Sequence, residues 1–233
     1  GRAAEIIREG LYRGADGGYL LTDRAFAGAD TLATSYALAT AIKKIGDYDI
    51  IIGGRQAIDG DTAQVGPQVA EKLGLTQVTY AEEILNVDEK NRSITVKRHI
   101  DGGVETVEGP LPIVITVNGS AAPCRPRNAK LVMKFKRALG AQEKAPAPAC
   151  HPEGVSALSY PELYEKRPYL NIPEWSVADV DGDLAQCGLS GSPTKVKAIQ
   201  NIVFQAKESK TLTGSDKDVE DLIVELLANH TIG

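Results

Sequence analysis

The sequence has 233 residues, 42% of them hydrophobic, enough for one sizeable core with appended segments, and its net charge of −5 supplies no global basic field for nucleic acid. No apolar run reaches the roughly 20 residues that cross a bilayer and no secretory signal is visible, so neither membrane insertion nor export is expected. Three widely spaced cysteines (Cys124, Cys150, Cys187) with no Cys-x-x-Cys pair, beside only three histidines, fit a reducing, cytoplasmic compartment and speak against a zinc or iron–sulfur site.

Ala4, Ile7 and Leu11 fall at helical spacing, and Gly14 can end that helix. Residues 19–22 (YLLT) read as the first strand. A helix that leads into a parallel strand normally follows an earlier strand, so an N-terminal strand is expected outside the numbered chain. Residues 23–31 (DRAFAGADT) link this strand to a helix carrying Ser35, Leu38, Ile42 and Ile45 on its apolar face, with Asp30 or Thr31 as cap and Gly46 as stop. This loop leaves the carboxyl end of its strand, the edge where open parallel sheets bind ligands. Two readings stand for it: Arg24 and Asp30 line a crevice, or Arg24 makes a local ion pair and Asp30 only caps.

Residues 49–75 read as strand, loop and helix. Ile50, Ile51 and Ile52 form a buried β-branched run ending at Gly53-Gly54, and Gly74 closes the helix after Val69, Ala70 and Leu73. Pro67 lacks an amide and fits only the first turn of a helix, which places the helix start just upstream. The amides from Thr62 to Gly66 then have few intrahelical partners, and free amides at a helix N-terminus bind phosphate. This loop is the candidate nucleotide cradle.

Residues 78–108 alternate and hold two turn signals, at 89–92 and 101–103, which predicts two or three short antiparallel strands with Ile94, Val96 and Ile100 on the covered face. His99 then lies on a strand surface. Residues 111–117 (LPIVITV) predict a central parallel strand, with Pro112 at its start. Residues 124–137 carry six basic side chains and no acid; they form either a solvated face or a docking surface, and Leu131 and Met133 within the run favour docking. Asn128 is the expected cap of a helix there. The Pro-rich residues 140–173 read as a linker crossing a surface. Ser176 to Asp179 resembles a capping box, residues 187–194 read as a turn that redirects the chain or holds a ligand, and a last helix carries Val219, Leu222, Ile223, Leu226 and Leu227 on one face. Three Asn-x-Ser/Thr triplets, at Asn91, Asn118 and Asn229, are read as chance matches.

Four stretches together, residues 23–31, 53–68 (GGRQAIDGDTAQVGPQ), 96–117 and 188–196 (GLSGSPTKV), resemble the beta subunit of an electron-transfer flavoprotein, in that family's order and over nearly the whole chain. The resemblance implies an α/β fold with a Rossmann-like open, mostly parallel sheet of the adenine-nucleotide-binding type, carrying a small antiparallel insertion. Residues 1–139 would form the nucleotide-binding domain, and residues 140–233 an extended C-terminal arm with helices that packs on an alpha subunit. The family's beta subunit begins with a further strand and loop over the adenosine, which agrees with the N-terminal strand expected above.

Two branches of the family are relevant, one with AMP as a structural ligand and one, electron-bifurcating, with a second FAD reached by NADH. DRAFAGADT and AIDGDTAQVGP resemble the bifurcating branch. The small residues Gly60, Ala63 and Gly66 agree with it, because they let backbone approach a pyrophosphate. Carried over by position, Ala57, Gly60, Ala63, Gln64 and Val65 would line phosphate and adenosine, and Asp59, Asp61, Thr62 and Gly66 would complete the loop. Asp23, Arg24, Ala25, Phe26, Gly28, Asp30 and Thr31 would lie near the flavin or NAD(H). Residues 124–133 resemble the loop that recognises a dehydrogenase such as an acyl-CoA dehydrogenase, and Ser190 to Thr194 belong to the arm that reaches the alpha subunit's flavin. The implied activity is electron transfer from NADH to ferredoxin and, through the alpha-subunit FAD, to that dehydrogenase. No Ser/His/Asp or Cys/His catalytic arrangement is found. A Walker lysine, which an ATP-hydrolysing module would need, is absent, and a purely structural subunit would leave residues 57–66 unexplained.

Overall fold

The computed structural model describes residues 2–141, 160–195 and 211–228. The chain divides into two units, residues 1–195 and 196–233. The first unit runs α1 (Arg2–Tyr12), β1 (Leu20–Leu21), α2 (Thr31–Ile45), β2 (Ile50–Gly54), α3 (Val65–Leu73), β3 (Thr76–Asp88), β4 (Ser93–Ile100), β5 (Gly103–Pro110) and β6 (Ile113–Val117). It continues with α4 (Ala129–Phe135), α5 (Tyr160–Lys166), β7 (Glu174–Trp175) and α6 (Gly188–Gly191). In the second unit, α7 (Asp216–Ala228) is an acidic helix with no buried residue, its apolar Val219, Ile223 and Leu227 each about half exposed.

The main sheet has the order β2-β6-β3-β4-β5. β2, β6 and the first half of β3 pair in parallel; the second half of β3, β4 and β5 pair antiparallel. The fold is the expected open α/β sheet with an antiparallel extension. β6 lies between two parallel neighbours, and Ile113, Val114, Ile115 and Thr116 are all buried, as an apolar run flanked on both sides requires. Ile94 and Val96 carry the core into the extension, where both are essentially inaccessible to solvent. The turns at 89–92 and 101–102 close as expected, with Arg92 and Gly102 both at positive φ.

A single thirteen-residue strand, β3, serves both pairing regimes. The switch falls between Val78 and Ala81, where its register against β6 shifts. Tyr80 sits in that bulge at φ 58, a left-handed conformation that bulky residues rarely adopt. Three contacts enforce it. The Tyr80 amide donates to Thr116 Oγ1 at 3.3 Å, and Arg98 donates to the Thr79 carbonyl at 2.9 Å and the Thr79 hydroxyl at 3.0 Å.

Four sequence expectations are corrected. Residues 19–22 do not join the main sheet: Leu20 and Leu21 pair in parallel with Glu174 and Trp175 in a separate two-stranded sheet, and Tyr19 stacks on Trp175 with ring centres 4.1 Å apart. A short apolar run has no local signal for its partner. The isoleucine run is not a buried strand, because β2 is at the sheet edge and Ile52 is 60% exposed. The face of α2 expected from sequence is covered only in part: Ser35 on it is buried, but Leu38 and Ile45 are 39% and 50% exposed, and Ala33, Ala37 and Ala39 are buried instead.

The fourth correction concerns residues 160–173, which are core rather than a surface linker. Leu163, Tyr164, Leu170 and Ile172 are buried in one cluster with Ala4 and Leu11 of α1 and Phe135 of α4. Each buried aliphatic side chain there contributes about 1.5–3 kcal/mol relative to exposure. The Leu139 amide also donates to the Leu170 carbonyl, and the Ile172 amide to the Leu139 carbonyl, both at 3.0 Å, so residues 170–172 pair with the segment that follows α4. The Ala-Pro-Ala-Pro stretch at 145–148 lies outside the described residues. Residues 160–195 thus group with the first unit.

Candidate functional site

The loop between Gly54 and Val65 leaves the carboxyl end of β2. It begins with the Arg55 amide donating to the Val117 carbonyl at 3.1 Å, which ties it to β6. Asp61 and Ala63 are both at positive φ (51° and 53°), and the Asp61 amide donates to the Ala57 carbonyl at 3.0 Å. Asp59 accepts from the Gly60 amide at 2.9 Å, and Gln56 donates to the Asp61 carboxylate, so both acids are held within the loop. Ala57 to Thr62 are all exposed, Ile58 completely. The amides of Thr62, Ala63 and Gln64 meet no acceptor among the described residues. Gln64 stands at the cap position of α3 without a side-chain capping bond, so the amides of this first turn keep their partial positive charge. Gly74 ends α3 at φ 66, as expected.

The two small glycines of the cradle have different reasons. A Cβ on Gly60 would meet no atom of the chain within 4 Å, so open space faces it. A Cβ on Gly66 would lie 2.3 Å from Thr116 Cγ2. Gly66 therefore has a packing reason of its own, the close approach of α3 to β6. Val65 opens α3, partly buried.

The 23–31 loop meets the cradle at one place. Thr31 Oγ1 donates to Gln64 Oε1 at 2.9 Å, and Gln68 Nε2 donates back to Thr31 Oγ1 at 3.5 Å. Gln68 Oε1 is buried and has no partner among the described residues. Left unpaired, that buried acceptor costs the joint between the two helix starts about 1–3 kcal/mol. The free amides at residues 62–64 and the open space at Gly60 are what would fit the phosphate of an adenine nucleotide.

The rest of the 23–31 loop packs on residues 177–194. Asp23 Oδ1 accepts from the Ala25 amide at 3.0 Å, and Oδ2 from the Val177 amide at 3.1 Å. Asp30 Oδ1 caps α2 through the Leu32 and Ala33 amides at 3.0 Å each, and Oδ2 accepts from the Thr194 amide at 3.1 Å. The Asp30 amide donates to Ser192 Oγ at 2.8 Å, and that buried hydroxyl donates to the Gly188 carbonyl at 2.6 Å. Gly28 and Gly188, both at positive φ, interlock there: a Cβ on Gly28 would sit 2.7 Å from Leu189 Cγ, and one on Gly188 only 2.2 Å from the Ala25 carbonyl. Asp30 thus caps α2 and in addition ties the loop to Ser192 and Thr194.

Amide donors from Ala25 and Val177 lower the Asp23 pKa below its usual value. For Asp30 burial pushes the pKa up, but the Ala33, Thr194 and Leu32 amides outweigh it and the net direction is down. Both carboxylates are held ionised by backbone donors. Arg24 is exposed, and Ala25 and Phe26 are half-buried in a 3-10 turn that Asp23 caps. Of the residues assigned from sequence, then, Thr31 and residues 57–66 converge, while residues 23–30 face the 188–194 turn. Beside that turn lies a cavity of about 380 Å³ lined by Leu32, Tyr36, Lys72 and Ser190 to Pro193.

Three participants escaped sequence reading: Gln68, Thr116 and Tyr80. Gln68 lay one turn beyond the free amides, where Thr31's approach was not visible. Thr116 reads as part of an apolar strand, and no local pattern marks Tyr80's positive φ. Ser192 was read within the 187–194 turn, but not its bond to Asp30, 162 residues away.

No helix among the described residues is long and apolar enough to span a membrane, and none of their His, Cys, Asp and Glu side chains form a group of three that could hold a metal. Residues 1–146 match the electron transfer flavoprotein domain. The chain is 37% identical over 227 residues to Protein FixA of Azorhizobium caulinodans, covering 95% of this chain and 69% of that protein. It is 40% identical over 196 residues to the electron transfer flavoprotein subunit beta of Clostridium acetobutylicum, covering 84% and 62%, and 40% identical over 204 residues to that of Megasphaera elsdenii, covering 85% and 63%. With the domain match covering more than half of this chain and a relative above the identity at which family assignment is secure, the chain belongs to the electron-transfer flavoprotein family, among its beta subunits and FixA proteins.

Proposed function

We propose that this chain is the beta subunit of an electron-bifurcating electron-transfer flavoprotein, which holds FAD, takes NAD(H) as substrate, and works as a heterodimer with an alpha subunit. Its electron acceptors are ferredoxin and, by way of the alpha subunit, an acyl-CoA or similar dehydrogenase. The observation that carries this reading is the cradle: unpartnered amides at Thr62 to Gln64 beside open space at Gly60, with Thr31 brought to Gln64. When bound, FAD supplies hydride acceptance and one-electron transfer.

The chain's own residues supply position. The amides of residues 62–64 and the N-terminus of α3 attract the phosphates. Thr31, Gln64 and Gln68 present hydroxyl and amide groups to the nucleoside. Asp23, Gly28 and Asp30 set the 23–31 loop against residues 177–194, which fixes the second wall. The basic face of α4, with Met133 66% exposed beside Lys130 and Lys134, suits an acidic dehydrogenase surface.

The test is to release the nucleotides from the purified heterodimer and identify them. Two FAD per heterodimer supports the reading. One FAD with one AMP refutes bifurcation and leaves a carrier with a structural nucleotide.

A further inference from the structure

One charged group at the cradle's root has no use in the contacts described so far. Arg55 follows β2 directly and is half-buried. Its guanidinium carbon lies 5.6 Å from the centre of the Tyr80 ring, and its five N–H donors meet no hydrogen-bond or ion-pair partner among the described residues. The aromatic face orients the cation without satisfying those donors.

Tyr80 is placed at a cost. It occupies left-handed backbone in the bulge of β3, held there by Thr116, Arg98 and the Asn118 amide, which donates to the Ala81 carbonyl at 2.8 Å. Bulges re-aim side chains, and strain of this kind persists where surrounding contacts over-determine it, commonly beside a ligand. The charge balance points the same way. Residues 56–64 include Asp59 and Asp61 and no basic side chain. Backbone amides alone would have to hold a phosphate next to two carboxylates, whereas Arg55 at the loop's first position offsets that charge.

We propose that Arg55, floored by the Tyr80 ring, is the cation that meets the phosphate of the bound adenine nucleotide. This rests on the nucleotide reading above and adds to it a specific contact for the phosphate, as distinct from the base and ribose. Its guanidinium fork suits two phosphate oxygens at once, a role that a lysine fills only as a point charge.

The experiment uses the chain purified with its alpha subunit and stripped of nucleotide, titrated separately with AMP, FAD and adenosine. Arg55→Met keeps the aliphatic stem over the ring and removes the charge. The expected result is a loss of about tenfold or more for AMP and FAD, with adenosine changed by less than about twofold, and a smaller loss for Arg55→Lys. Equal losses for AMP and adenosine would make Arg55 a structural brace and overturn the proposal. So would unchanged AMP affinity in Arg55→Met while the unaltered complex binds AMP. If the unaltered complex takes up none of the three, the nucleotide reading falls, and this contact with it.

Discussion

Gly66→Ala isolates the joint between the cradle and the sheet. The added methyl would sit 2.3 Å from Thr116 Cγ2, in a central strand where Thr116 is only 2% exposed and its hydroxyl is engaged by the Tyr80 amide. Thr116 is β-branched and cannot swing away without releasing that amide. Forcing such a contact costs about 1–3 kcal/mol, set against a helix-propensity gain from Gly to Ala of about 1 kcal/mol at most. A net loss of up to about 2 kcal/mol lowers the melting temperature of a chain this size by up to roughly 8 °C. The assay is a double-mutant cycle by urea denaturation. Thr116→Ser deletes Cγ2 and keeps the hydroxyl, so Gly66→Ala is expected to cost about 1–2 kcal/mol less in that background. Equal costs in both backgrounds would refute the close approach of α3 to β6 as the reason for this glycine.

The other predictions concern the cradle's space, the clips and the edge. Gly60→Val meets no protein atom, so the variant is expected to unfold at the temperature of the unaltered chain, within about 1 °C for a surface change, while nucleotide occupancy of the heterodimer falls; full occupancy would move the nucleotide elsewhere. Asp30→Ala removes the α2 cap and is expected to cost about 1 kcal/mol, read in urea, with faster proteolysis at residues 192–194 because the Thr194 and Ser192 contacts go with it. Asp23 and Asp30 both have lowered pKa values, so their contribution is complete above the ordinary value of 3.8 and is lost as pH falls below it through the folded values. A melting-temperature series from pH 6 to about pH 3 is expected to slope less steeply in Asp30→Asn. Ile52→Thr, at the exposed edge, is expected to change stability by no more than about 0.5 kcal/mol, measured by its urea midpoint.

Local chemistry made much of this fold legible. Pro67, Gly74 and the free amides ahead of Pro67 placed the cradle and the start of α3 because each is a rule about one backbone position. Asn128 caps α4 through Lys130 and Leu131, and Ser176 and Asp179 exchange a reciprocal capping pair even with Asp in place of Glu, again by local geometry. What stayed hidden depends on partners far along the chain. Leu20 and Leu21 carry no mark that they pair with residues 174–175, and Asp30 looks like a cap whether or not Thr194 also reaches it. The face of α2 was legible only in part, because alanines score as less apolar than Leu38 and Ile45, although Ala33, Ala37 and Ala39 are the ones buried. The packing reason for Gly66 was hidden because the sequence does not show Thr116 above it.

The shared core of α1, α4 and residues 163–172 also bears on how the polypeptide tolerates being cut. Residues on both sides of 142–159 bury side chains in one cluster, pair strands at 20–21 and 174–175, and share the Asp23 and Asp30 bonds. A break introduced within 142–159 would therefore yield two fragments bound to each other by the same forces that hold the unit together, and the pieces are expected to co-purify and to reassemble when expressed separately.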